Sequence, residues 1–145
     1  MKKKPDRLCV DKEDLADFRM LLEEKDSPLY KRENKDVFVM AMTTGYKNGA
    51  RLPLKTREGF IREEYLSVEE RSIIKSIAIQ QDKNLSILLD MEKVCQIAEE
   101  YARGGIKYLK DSVFQKSHGA YPKRLEAELL DEFEGHHMAS ISKDE

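Results

Sequence analysis

The residues best equipped for chemistry lie between Tyr46 and Arg57. Lys47, Arg51, Lys55 and Arg57 place four cations there with no acid between them. Tyr46 adds one aromatic ring. Such a stretch suits phosphate or another anion, with the cations on phosphates and the ring on a sugar or base. Asn48-Gly49 is a turn signal and Pro53 imposes extended or turn geometry, so the stretch reads as a loop. A plainer reading stands beside this one: a solvated connection pinned to the core by Leu52 and Leu54. The segment from Glu58 to Glu70 holds five acids and one arginine. It follows the loop directly, so Glu63, Glu64 or Glu69 could neutralise the cations from within the chain.

Other chemistry is sparse. His118, His136 and His137 all fall in the last quarter of the chain, away from any amphipathic core segment. That placement argues against a histidine base or nucleophile, and a histidine pair without a third ligand is a poor metal site. Cys9 and Cys95 sit far apart in apolar contexts, so neither a disulfide framework nor a metal motif is implied. Asp90, Glu92 and Lys93 superficially suggest a nuclease cluster. The lysine directly follows the glutamate, however, and no upstream acid is placed to share a metal. No catalytic residue, metal or cofactor is therefore expected.

These residues need elements to hold them. Asp11 can open a helix whose stripe is Leu15, Phe18, Leu21 and Leu22. Val37 to Met42 is the most apolar run and reads as a buried central helix, with Asp36 as N-cap and Gly45 as its stop. Ser67 and Glu70 form a capping box at the head of an amphipathic helix reaching about Gln81. Asp90 caps the clearest helix, Asp90 to Arg103. Gly104-Gly105 then reads as a stop or hinge, or as a place where another backbone comes close. Leu125, Leu129, Leu130 and Phe133 form an apolar stripe on an acidic helix over 123–134, a candidate surface for a protein partner.

The expected fold is all-α, a single-domain bundle of five to six helices, with a short two-stranded piece open to residues 8–10 and 85–89. The expected division is a core over 1–115, a linker and acidic helix over 116–134, and a patternless tail over 135–145. Charged residues make up 37% of the 145-residue chain and the net charge is -2. That balance disfavours indiscriminate nucleic-acid binding but leaves a local patch free to act. No run reaches membrane-spanning length, and MKKKPDR is not followed by the apolar run of a signal peptide. Reduced thiols in a cytoplasmic protein are expected.

Two segments together carry a family resemblance: KDVFVMAMTTGYKNGARLPL at 35–54 and LSILLDMEKVCQIAEEYARGGIKYLKD at 85–111. In order and spacing they resemble a family of small proteins associated with DNA phosphorothioation (dnd) systems, in which sulfur replaces a backbone oxygen of DNA. The matching positions are Phe38, Gly45, Gly49, Arg51, Pro53, Glu99, Tyr101, Gly104 and Gly105. The resemblance covers roughly the middle half of the chain and leaves the segment beyond Asp111 outside. It implies an accessory role in a prokaryotic modification or restriction system, and the lack of a catalytic constellation makes a non-catalytic one the expectation. Two expectations follow: DNA contact through Tyr46, Lys47, Arg51, Lys55 and Arg57, or assembly with itself or another protein through the 123–134 stripe.

Overall fold

The structure is a computed structural model that describes residues 5–114. Within it lie two strands, β1 (Arg7–Val10) and β2 (Glu58–Arg62), and four α-helices. The helices are α1 (Leu15–Glu23), α2 (Asn34–Lys47), α3 (Val68–Asp82) and α4 (Met91–Phe114). Short 3-10 turns cover Lys12–Asp14, Glu63–Tyr65 and Leu85–Leu89. The described part is thus mostly helical with a small antiparallel ribbon, slightly fewer helices than expected. The 123–134 segment lies outside the described residues.

The core is a helix pair. Helix α2 buries Val37, Phe38, Ala41 and Met42 completely. It packs along α4, where Val94, Ile97, Ala98, Ala102 and Ile106 are equally sealed. Thr43 and Thr44 could have argued for a strand. Their hydroxyls instead donate back to the carbonyls of Val39 and Met40 at 2.9 and 2.7 Å, satisfying them within the helix. The N-cap falls on Glu33. Asp36 is the third helical residue, and its Oδ2 accepts from the Glu33 N–H at 3.0 Å. The Ser67 capping box forms as read: Ser67 N–H donates to Glu70 at 2.7 Å and Glu70 N–H to Ser67 Oγ at 3.1 Å. Asp90 caps α4 by accepting from Lys93 N–H at 3.2 Å.

The glycines behave differently from the expectation. Gly45 does not stop α2, which runs to Lys47, and Gly104-Gly105 does not hinge α4, which continues to Phe114. A Cβ on Gly45 would overlap the Tyr101 carbonyl, and one on Gly105 would overlap the Ala41 carbonyl. On Gly104 it would overlap the carbonyl of Ala50. The three glycines are therefore the seam at which two helix backbones, and the loop after α2, meet. Helical hydrogen bonding through Gly104-Gly105 is retained because tertiary contact outweighs the weak helix propensity of glycine.

The ribbon also differs from expectation. β1 pairs antiparallel with β2, not with residues 85–89. Leu8 faces Ile61, and after an irregularity between Leu8 and Cys9 the pairing resumes at Cys9–Gly59. Leu8, Val10 and Ile61 are buried beneath it. Two strands alone are marginal in water, and these are stabilised by burying one face against the helices.

Candidate functional site

Tyr46 and Lys47 belong to the last turn of α2 rather than to a loop, and the loop proper, from Asn48 to Arg57, is tied to α4 and Asp11 by polar contacts. Ala50 N–H donates to the Gly45 carbonyl at 2.8 Å, closing α2. Leu52 N–H donates to the Glu100 carbonyl at 3.1 Å. The far end is gripped by Asp11, which is fully buried. Asp11 Oδ2 accepts from Lys55 N–H at 2.6 Å and Thr56 N–H at 3.1 Å. Its Oδ1 accepts from the Thr56 hydroxyl at 3.1 Å and from Glu13 N–H at 3.0 Å. Arg103, from α4, closes the knot. Its Nη1 donates to Asp11 Oδ2 at 2.7 Å and to the Pro53 carbonyl at 2.8 Å. Leu52 is 48% exposed, so it does not pin the loop as the plainer reading supposed. Asp11 and Arg103 do.

Two of the four nominated cations, Arg51 and Arg57, pair with acids, but not those of the following segment. Arg51 Nε lies 2.7 Å from Glu100 Oε1, and its guanidinium sits 6.0 Å from the centre of the Tyr101 ring. Arg57 faces both oxygens of Glu99, Nη1 at 2.8 Å and Nη2 at 3.1 Å. Tyr46 packs edge-on against Tyr101 with ring centres 5.6 Å apart. Lys47 and Lys55 have exposed side chains, and Lys47 also takes part in a polar contact. The structure therefore sets Tyr46 and Arg51 against Tyr101 and Glu100, and Arg57 against Glu99, around one turn of α4. Glu63 and Glu64 instead meet Arg71 and Arg62.

Electrostatics separates the two buried acids at this face. Burial alone would raise the Asp11 carboxyl. The N–H groups of Glu13, Lys55 and Thr56 and the Thr56 hydroxyl outweigh it and hold the group well below the usual carboxylate range. Glu99 is pushed up, chiefly by burial, although Cys9 N–H and Arg57 favour its charged form. Cys9 N–H donates to Glu99 Oε2 at 2.7 Å, which ties the ribbon to α4. Cys95 is raised to about 11, first by burial and then by the Glu99 charge, so it stays a thiol at neutral pH.

Sequence reasoning missed Asp11, Glu100 and Arg103 as members of this arrangement. One signal was present: Arg103 follows Tyr101 and Ala102 and precedes the paired glycines, a lone cation within a stretch otherwise apolar or small. Between α3 and α4, the turn Leu85–Leu89 is anchored by buried Ile87 and capped by Asn84, whose Oδ1 accepts from Ser86 N–H at 2.9 Å. It displays Leu85 at 70% and Leu89 at 90% exposure. Among the described residues no group of three or more potential ligands is arranged to hold a metal, and no helix is long and apolar enough to cross a membrane. His118, His136, His137, Leu125, Leu129, Leu130 and Phe133 lie outside the described residues.

No curated protein and no solved structure matches the chain. A family model does, from residue 7 to residue 144. The likeness is thus far wider than the middle half, and the segment after Asp111 falls inside the family rather than beyond it. With a match over nearly its whole length, the chain belongs to the family described as DNA sulphur modification system-associated protein 4.

Proposed function

We propose that the chain is a non-catalytic accessory subunit of a DNA sulphur modification system and works by binding a protein of that system. The observation that carries this reading is the Leu85–Leu89 turn. Its backbone is fixed by the Asn84 cap and by Ile87, yet it leaves Leu85 mostly and Leu89 almost wholly in solvent. Large apolar side chains held outward by an ordered turn suit an interface anchor. The stripe Leu125, Leu129, Leu130 and Phe133 is a second candidate contact, for a heterologous partner or a second copy. The non-catalytic part is supported by the use already made of the reactive groups: Asp11 and Glu99 serve internal pairs, and Cys95 is a protonated thiol.

Direct DNA contact through Tyr46, Lys47, Arg51, Lys55 and Arg57 has weaker support. Arg51 and Arg57 would have to leave Glu100 and Glu99 to reach phosphate. The test is co-purification with the other proteins of the same system, comparing the unaltered chain with a Leu85→Ser, Leu89→Ser double variant. Loss of co-purification with an unchanged melting temperature is the expected result, because the two leucines contribute little to the core. Equal recovery of the partner by both proteins would sink the turn as the contact.

A further inference from the structure

A second site lies between β1, α3 and α4. A cavity of about 240 Å³ is enclosed by residues of β1, the turn after β2, α3 and the head of α4. Leu8, Leu66, Ile74 and Cys95 among its lining residues are buried, so they form the floor. Met91 packs beside them. The charged lining residues are Arg7, Arg71, Lys75 and Glu63, three cations against one acid. Arg71 is held in place by Glu63: its Nη2 donates to the Glu63 carbonyl at 3.0 Å, and its Nε lies 3.3 Å from Glu63 Oε1. That buried Nε makes no hydrogen bond. Arg7 is exposed and Lys75 half-buried, and neither has an ion-pair partner among the described residues.

From this arrangement we infer that the cavity is a binding site for a small organic anion with an apolar body, such as a medium-chain or aryl carboxylate. The floor supplies aliphatic and sulfur surface with no polar side-chain atom beyond one neutral thiol, which excludes a ligand needing its body read by hydrogen bonds. The mouth supplies uncompensated positive charge. A purely apolar ligand would leave that charge unused, and inorganic phosphate would leave the floor unfilled. Cationic side chains beside the mouth suit an anionic head group, for which a carboxylate is the simplest probe. The site is independent of the 85–89 turn and of any DNA contact.

The test uses the full chain, with octanoate and its uncharged counterpart octanamide followed by amide and methyl NMR shifts. Octanoate should give saturable shifts at Leu8, Ile74, Met91 and Cys95. Octanamide, alike in shape, should bind at least about tenfold more weakly. Lys75→Glu with Arg7→Glu should remove the preference for octanoate. The comparison of the two ligands on the unaltered chain decides the matter even if that variant folds poorly. Saturable shifts located elsewhere, equal binding of the two ligands, or no saturation by about 10 mM would each overturn the assignment.

Discussion

Asp11 and Glu99 are both buried carboxylates facing an arginine, and they respond to pH in opposite senses. The folded Asp11 sits below the ordinary aspartate value near about 3.9, so in that window the unfolded chain binds the extra proton. Its stabilisation is present above that value and is lost as pH falls toward the folded value. Asp11→Asn replaces one of two accepting oxygens with an amide NH2, although both now face only donors (Glu13, Lys55 and Thr56 N–H, the Thr56 hydroxyl and Arg103), and it removes the shortest of the ion pairs of Arg103 (12% exposed side chain), leaving Glu13 at 3.2 Å and Asp14 at 3.6 Å. We expect a loss of about 3 kcal/mol or more in urea unfolding at pH 7. Glu99 is raised above its ordinary value near about 4.3, so there the folded chain keeps a proton that the unfolded chain has released. Its contribution to stability therefore declines as pH rises through that window. Glu99→Gln keeps an acceptor for Cys9 N–H and releases Arg57, whose side chain is already 54% exposed. It should change stability by less than about 1 kcal/mol at pH 7 and flatten the slope above pH ~4.5, read from unfolding midpoints across pH. Asp11 was legible as the residue that opens the first helical turn, since its bond to Glu13 is local. Its bonds to Lys55, Thr56 and Arg103 join positions far apart in sequence, and no local pattern encodes them.

At the scale of elements, what the sequence made legible was whatever depends on neighbours in the chain. The Ser67 and Asp90 caps, the stripes of α1 and α3 and the buried run of α2 all follow from spacing. The glycines show where that reasoning ends. Gly45 and Gly104-Gly105 carry a breaker's propensity, yet they lie within helices because the backbones of α2 and α4 press together there. The strand β2 was missed for a related reason: Glu58–Arg62 is short, and only its pairing with β1 makes it a strand. The seam yields a contrast among glycines. Gly105→Ala must push a methyl group into the Ala41 carbonyl, and with backbone on both sides neither helix can yield cheaply. A loss of about 4 kcal/mol or more is expected in denaturant titration. Gly49 has a φ of 64° but open space around its Cβ position. Gly49→Ala should cost only the left-handed backbone strain, about 1 kcal/mol. Equal losses in the two variants would contradict the close approach of α2 and α4.

For the whole molecule, two of the four cations between Tyr46 and Arg57, Arg51 and Arg57, have acids of α4 as partners. The acids that balance these two, Glu99 and Glu100, come from α4, more than forty positions on, so the pairs were invisible to local reading of the sequence, while Lys47 and Lys55 stay exposed. This has a measurable consequence. Each phosphate neutralised on duplex DNA adds about 0.9 to the slope of log affinity against log salt. Were Lys47, Arg51, Lys55 and Arg57 all to contact phosphates, the slope would be near about 3.6. With Arg51 and Arg57 retained by their glutamates, binding to a short duplex should be weak and its slope below about 2, with or without phosphorothioate linkages. Arg51→Gln sharpens the test. It cancels one pair on α4 without adding a like charge beside Glu100, so it should lower stability by about 1 kcal/mol and leave the salt slope unmoved. A steep slope that falls by about one unit in Arg51→Gln would mean that the pair with Glu100 opens for DNA and that the loop is the interface. A shallow slope unaffected by the substitution leaves the loop as the strap that fixes β1, β2 and α4, and it directs the search for function to the apolar turn at Leu85–Leu89.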